Sequence, residues 1–459
     1  MGKSNKSAPI DDYSIGTALK YGNVFTILSG PIMGLGNIYH KQFIKGLLFF
    51  MVEVMYIIYM MKWGVTSIVN FITLGVKEQA KDYIEATGIY ETIPGDNSML
   101  SLLYGVITMI VTVGFIIMLI ASIKSAYYAQ YRKALGKHTI KFKEDFMSLF
   151  DRNIHILFLT PPVLGIVAFT VVPIIFMIFI AFTNYDIDHL PPGNLFDWVG
   201  LDNFKELFNW SKGGKIGITF RNTLIWTLVW AFFATFTNYF LGMILALVIN
   251  RKGTRCKSFW RFMFALSISI PVFVSLLTMR TMFNVYGPVN IILQDLGLIE
   301  EPINFFMNTN IARVLIILIN IWIGVPFTML NHTGILQNIP NDLYEAADVE
   351  GANTFVKFFK ITLPYMLFVT GPVLITQFIS NINNFNVIYL LSGGGPGNLD
   401  YYYAGETDLL VTWLYKLTMT ERDYKMGSVI GIAIFVISAV SSILVYRNMK
   451  SYKDEEGFQ

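Results

Sequence analysis

One cysteine, Cys256, stands among 459 residues. No disulfide can therefore form within the chain, and no cysteine-based metal site can be built. Charge is almost as scarce. Asp, Glu, Lys and Arg make up 14% of the sequence while 54% is hydrophobic, against about 25% charged residues in an ordinary soluble domain. So little charge cannot solvate the surface of a globular protein this long. The net charge of +3 is too small to recommend nucleic acid as a partner. No G-x-x-x-x-G-K-[ST] loop occurs, so this chain is not expected to hydrolyse nucleotides itself. A nucleophile elbow, a His/Glu metal cluster and paired carboxylates at a membrane surface are likewise missing, which argues against a membrane enzyme. The first twenty residues are polar, carry Lys3, Lys6 and Lys20, and lack an early apolar core; no cleavable signal peptide is expected.

What is present is apolar sequence in blocks of about twenty residues, the length that crosses roughly 30 Å of hydrocarbon as a helix. Eight blocks are predicted to span a membrane: 43–62, 100–123, 154–182, 221–249, 260–283, 311–335, 365–391 and 426–446. The stretch from Val24 to Tyr39 is broken by Gly30-Pro31, Gly34 and Gly36 and reads as interfacial or re-entrant. Residues 1–42 are thus an N-terminal segment, 43–153 an accessory pair of spans with a basic linker, and 154–459 a six-span core. The linker carries Lys124, Arg132, Lys133, Lys137, Lys141, Lys143 and Arg152. Arg251, Lys252, Arg255, Lys257 and Arg261 follow the fourth span, and Arg447, Lys450 and Lys453 the last. Asp186, Asp188, Asp197, Asp202, Asp295, Glu300 and Glu301 lie in the intervening loops. The positive-inside rule then puts both termini in the cytoplasm, as an even span count requires. Trp198, Trp210 and Trp226 fall near the outer boundary, as interfacial anchors or as packing aromatics.

Between the sixth and seventh spans the chain runs Asn341-Asp342-Leu343-Tyr344-Glu345-Ala346-Ala347 to Gly351 and on to Leu363-Pro364. Asn341 or Asp342 can cap a short helix, with Glu345 at capping-box spacing from Asp342. Gly351 permits a reversal, and a second helix with Phe355, Phe358 and Phe359 leads to Pro364. A helix-turn-helix between two spans is a mechanical handle for a soluble partner, or a linker packed on its own bundle.

The order Glu345-Ala346-Ala347, Gly351, Ile361, Leu363-Pro364 resembles the signature of bacterial binding-protein-dependent permeases. Ala181-Phe182-Thr183-Asn184-Tyr185, Asn381-Ile382-Asn383-Asn384-Phe385 and Ala404-Gly405-Glu406-Thr407-Asp408 are similar to the larger permease subunit of maltose and maltodextrin importers. Glu350 departs from the pattern, standing where Asp is commoner, and the loop at 183–220 is short where the enteric member has a large domain. The resemblance implies an all-α membrane protein, a type I ABC importer permease core of six helices plus an N-terminal pair, in a bacterial cell membrane. It implies a second homologous permease, two ATPase subunits that use ATP and magnesium, an extracellular sugar-binding protein, and no cofactor on this chain. Glu345, Ala346, Ala347, Gly351, Leu363 and Pro364 would then couple to the ATPase within a motif at 340–364.

Sugar paths combine hydrogen-bonding groups with aromatic faces. In the seventh span Gln377, Asn381, Asn384 and Ile388 fall on one helical face, and in the sixth Asn320, Gly324, Phe327 and Asn331 repeat the spacing. Asn320, Gly324, Phe327, Asn381 and Asn384 are therefore the expected substrate contacts, with amides packed between helices as the other use of such a pattern. An ion-coupled sugar carrier is the alternative function, but it needs ionisable groups within the bundle, and those are nearly missing from the third span onward. Glu53 in the first span is the exception, with Lys45, Lys62 or a partner chain as its candidate counter-charge. Ser392-Gly393-Gly394-Gly395-Pro396-Gly397 resembles a phosphate cradle without the lysine and is expected to be a flexible outer turn.

Overall fold

Hydrocarbon offers a backbone no hydrogen-bond partner, so apolar blocks of this length fold as helices. The computed structural model describes residues 13–84, 89–211, 213–251 and 253–448; Lys3, Lys6, Lys252, Lys450 and Lys453 lie outside the described residues. Among those described, seven helices are long and apolar enough to cross a membrane: Phe43–Thr73, Ser98–Ala134, Ile154–Ile180, Lys215–Asn250, Thr309–Leu336, Thr354–Leu391 and Tyr424–Leu444. The predicted span at 260–283 is a broken one. Helices Lys257–Ile268 and Val272–Met282 meet at 84° around Pro271, whose missing N–H and fixed φ end the first limb. Counting that pair, the described residues hold eight candidate spans. One short hairpin departs from the all-helical expectation, with β1 (Ala80–Ile84) antiparallel to β2 (Ile89–Ile93).

The chain divides into two compact units, Met1–Val199 and Gly200–Gln459. The division falls after the third span. In the first unit the first span outruns its predicted end at residue 62, because a π turn at Met60–Gly64 carries the helix on past Lys62. The second span outruns residue 123 and takes Lys124, Arg132 and Lys133 into its own helix. Gly105 lets these two helices meet: a Cβ there would stand 2.4 Å from Phe71. Trp198 serves as a packing aromatic, its Nε1–H donating to the Phe71 and Ile72 carbonyls at 3.2 and 3.1 Å.

The segment at 24–39 forms two five-residue helices, Val24–Leu28 and Leu35–Tyr39, each only about 7.5 Å long. Neither can cross. Their turn leaves N–H groups unpaired, and the spans supply acceptors. The Met33 N–H donates to Glu53 Oε2 and the Gly34 N–H to Ser122 Oγ, both at 2.8 Å. Glu53 thus serves a backbone group; Lys45 pairs instead with Asp145 at 2.7 Å.

In the second unit, Trp226, Trp230, Leu276, Ile316, Ile319, Ile388 and Leu409 form a buried core. Trp226 belongs to it, with its Nε1–H on the Thr407 carbonyl at 3.1 Å, and is not an interfacial anchor; Trp210 is 52% exposed. The Gly-rich loop at 392–397, expected to be flexible, is pinned. Asp408, fully buried, accepts from Lys416 Nζ at 2.5 Å, from Thr412 Oγ1 at 2.8 Å and from the Gly405 N–H at 2.7 Å. Gly394 (φ +83°) abuts it so closely that a Cβ would lie 2.0 Å from Asp408 Oδ1. Burial pushes the Asp408 carboxyl above the usual carboxylate range, and Lys416 pulls it back. Lys416→Met should destabilise the protein by about 3 kcal/mol, since it strands a buried carboxylate. Thermal unfolding in detergent measures this. The raised pKa means the folded state holds the proton more tightly than the unfolded chain, so the loss should shrink as pH falls through that pKa.

Candidate functional site: an intramembrane cavity and an exposed helical knob

The knob begins with helix Asn341–Val349. No capping box forms at Asp342 and Glu345. The N-cap is Pro340, which has no N–H for a reaching carboxylate to accept. Glu345 is left exposed. The helix ends in a Schellman turn, with the Ala352 N–H on the Ala347 carbonyl at 2.9 Å and the Gly351 N–H on the Asp348 carbonyl at 3.0 Å. Gly351 has φ +76° with open space around it, so glycine is required there for its backbone conformation alone.

Asn353 restarts the chain as a helix by accepting the Val356 N–H at 2.9 Å. A π turn at Phe358–Thr362 widens the helix just ahead of Leu363 and Pro364, where proline leaves one carbonyl without its donor. The knob is tied to the span by Tyr344 Oη and Thr362 Oγ1 at 2.8 Å, and across itself by Lys357 and Asp348. Ala346 is exposed and Ala347 half-buried. Val349, Phe355 and Phe359 stand out at 90%, 76% and 59% exposure. Acidic and apolar groups therefore share one small protruding surface.

The cavity, of about 430 Å³, lies between the fourth, sixth and seventh spans. Gly324, Phe327 and Asn331 line it as one face of the sixth, and Gln377 and Thr370 come from the seventh. Thr235, Asn238 and Tyr239 close it from the fourth, and no Asp, Glu, Lys or Arg takes part. Asn238, a contributor the sequence reading missed, gives its Nδ2–H to the Ala234 carbonyl at 2.9 Å, while its Oδ1 is buried without a protein partner. His332, also missed as a contact, is 3% exposed and leaves Nδ1 unpartnered. Tyr239 lies edge-on to that imidazole at 4.6 Å and shares a 2.8 Å hydrogen bond with Thr370 Oγ1. The signal was the stripe Thr235, Asn238, Tyr239, Gly242 at i, i+3, i+4 and i+7 of the fourth span. Gly324 is where the spans approach: a Cβ there would stand 2.5 Å from Asn238 Nδ2.

The single face expected of Gln377, Asn381, Asn384 and Ile388 does not form. The helix that starts at Leu363 stops at Ile382 and a new one runs Phe385–Leu391. Asn384 is the N-cap of that second helix, its Oδ1 accepting the Val387 N–H at 3.3 Å. An amide that can bond its own backbone favours such a break over a continued helix. Asn381 is 4% exposed and donates to Thr235 Oγ1 at 2.9 Å, and its carbonyl accepts from Trp230 Nε1 at 3.1 Å. Neither amide lines the cavity, and nor does Asn320, whose Nδ2 is buried without a partner.

Residues 238–451 match the family described as "binding-protein-dependent transport system inner membrane component". The galactooligosaccharides transport system permease protein GanP of Bacillus subtilis is 34% identical over 440 residues, covering 94% of this chain and 98% of that protein. The maltodextrin transport system permease protein MalC of Streptococcus pneumoniae is 32% identical, covering 93% and 95%. The maltose/maltodextrin permease MalF of Escherichia coli is 33% identical over 266 residues, 51% of its length. A bacterial alginate ABC transporter, solved with an alginate pentasaccharide-bound periplasmic protein, superposes with a TM-score of 0.53 at 22% identity, covering 66% of this chain and 96% of that one; it shows the fold.

Packed and cavity-facing amides should separate in a stability measurement. Asn381→Leu should cost about 1–3 kcal/mol by stranding the buried Thr235 Oγ1, while the Trp230 bond to the backbone carbonyl survives. Asn238→Leu, which removes an orphaned acceptor, should stay within about 0.5 kcal/mol. Thermal unfolding of the two variants in detergent decides it.

Proposed function

We propose, because the chain belongs to the family of binding-protein-dependent transport system inner membrane components, that it is the permease subunit through which an ATP-driven importer passes maltodextrin or a related neutral oligosaccharide. The observation that carries this reading is the uncharged cavity with orphaned hydrogen-bonding atoms, in a chain similar end to end to oligosaccharide permeases. The proposed assembly adds a second permease, two ATPase subunits and an extracellular sugar-binding protein. Both termini then lie in the cytoplasm.

A sugar ring presents hydroxyls at its edge and C–H groups on its faces. Asn238 Oδ1 accepts a sugar hydroxyl, an arrangement that satisfies an atom otherwise costly to bury. Phe327, 54% exposed in the chain alone, offers a flat apolar face to the ring, and Gly324 keeps the wall thin beside it. Asn320, Asn381 and Asn384 join the path only where the helices rearrange, since Asn381 must first release Thr235. An ion-coupled carrier would be expected to place an acidic or basic side chain at the cavity; the lining has no Asp, Glu, Lys or Arg, and its one imidazole, His332, is buried against Tyr239.

On the cytoplasmic side the knob seats in the ATPase, with the exposed faces of Glu345, Ala346 and Phe355 against it and Gly351 setting the angle between its two helices. Tyr344 and Thr362 then pass rigid-body motion into the seventh span. Movement of that span against the fourth changes the cavity walls, because Gln377 and Thr370 ride on one and Asn238 and Tyr239 on the other.

Uptake of labelled maltodextrin into proteoliposomes holding the whole transporter tests the reading. Asn238→Leu and Phe327→Ala should each lower uptake roughly tenfold, the equivalent of one binding contact of about 1.4 kcal/mol, with membrane abundance unchanged. Glu345→Lys and Gly351→Pro should abolish uptake while leaving insertion intact. Normal uptake in the knob variants would remove the coupling role, and normal uptake in the cavity variants would remove the cavity from the path.

A further inference from the structure

The first unit holds a second hollow that the transport path does not use. It is an open groove of about 410 Å³. One wall is the stripe Leu48, Phe49 and Val52 of the first span, and the other is Phe142, Phe146 and Leu149 of the linker. Those three linker residues fall at i, i+4 and i+7, on one side of a short helix, Phe142–Ser148, and the turn after it. The Lys45–Asp145 ion pair at 2.7 Å pins the linker helix to the start of the span. Asp145, Ser148 and Asn153 stand at the rim, where Asn153 Nδ2 donates to Ser148 Oγ at 3.1 Å and Ser148 Oγ to the Asp145 carbonyl at 2.6 Å. The groove therefore has an apolar floor, a polar mouth and one open side.

Charge at the mouth is lopsided. Lys141, Lys143 and Arg152 flank the linker helix, all are exposed, and none lies within ion-pair distance of a carboxylate among the described residues. Of the neighbouring acids, Asp145 pairs with Lys45 and Glu144 with His138 at 3.0 Å, which leaves Asp151 as the one carboxylate beside three exposed cations. Lys141 and Lys143 adjoin the lining residue Phe142 in sequence and Arg152 adjoins Asn153, so three exposed cations border the apolar slot.

We propose that this groove holds one acyl chain of an anionic phospholipid, with its phosphate at Lys141, Lys143 and Arg152, so that the linker helix lies on the membrane surface as a lipid-bound latch. The occupant must match both halves of the site. A zwitterionic lipid offers the chain without the net charge, and a soluble phosphate the charge without the chain. An amphipathic helix beside unpaired cations is also what an anionic leaflet attracts. The proposal rests on the cytoplasmic placement of residues 124–153 adopted above, and its test does not involve transport.

The full chain, purified in mild detergent, is titrated with phosphatidylglycerol and with phosphatidylcholine of equal chain length, and the retained lipid is read by native mass spectrometry. Wild type should retain phosphatidylglycerol roughly tenfold better, since each cation near an anionic headgroup contributes on the order of a fewfold in affinity. Lys141→Gln with Lys143→Gln and Arg152→Gln should abolish the preference without releasing the chain. Val52→Trp, which fills the slot, should lower retention of both lipids while helical circular dichroism is unchanged. Equal retention of the two lipids by wild type would overturn the proposal, as would a preference that survives the triple substitution or retention that survives Val52→Trp. Lipid binding can fail in this assay while sugar uptake by the assembled transporter persists, so the two readings fall separately.

Discussion

Backbone groups buried away from water must find partners within the protein, and the breaks between the helices described here are shaped by that requirement. Where the chain runs as a straight helix the requirement is met locally. Where it breaks, side chains from elsewhere have to be brought in. The turn between the two short N-terminal helices is served by Glu53 and Ser122. The break in the seventh span is served by Asn384, which caps the helix that follows. The Gly-rich loop is served by Asp408 and Thr407, the latter donating to the Gly395 carbonyl at 2.6 Å. A carboxylate in an apolar span and a run of glycines, which look like anomalies in the sequence, are two halves of the same economy.

The same requirement gives the cavity its meaning. Most buried polar atoms of the second unit are paired, as Asn381 is with Thr235 and Tyr239 with Thr370. Against that background the unpartnered Asn238 Oδ1 and His332 Nδ1 at one hollow stand apart. An orphaned acceptor costs stability unless something else satisfies it. On the function proposed above, a hydroxyl-rich ligand would supply that satisfaction while it is present.

The knob follows a different logic. Its residues are exposed, its helix is short, and Pro340 gives it no cap. Its shape is held by a glycine turn, by the Lys357–Asp348 ion pair and by the bond from Tyr344 to Thr362. Weak attachment along its length combined with a joint at the root of the seventh span fits the coupling role proposed above. A segment packed along its own bundle would instead bury Val349 and Phe355, which stand open.

The eight candidate spans, the broken character of residues 24–39 and the position of the knob were legible in the sequence, because block length, interruption by Gly and Pro, and the Glu345 to Pro364 spacing are local properties of the chain. The contacts were not. Helical periodicity put Asn381 and Asn384 on one face, yet whether a helix runs on through Asn383 depends on whether tertiary neighbours hold it straight. The partner of Glu53 lies twenty residues away in sequence and that of Asp145 a hundred, distances over which no local pattern carries information. Asn238 was passed over since an amide in an apolar helix looks the same whether it packs or faces a void; only the opposing surfaces of Gly324 and Gln377 decide which. Composition determined that this chain lives in a membrane, and the packing of one helix against the next decided where it is hollow.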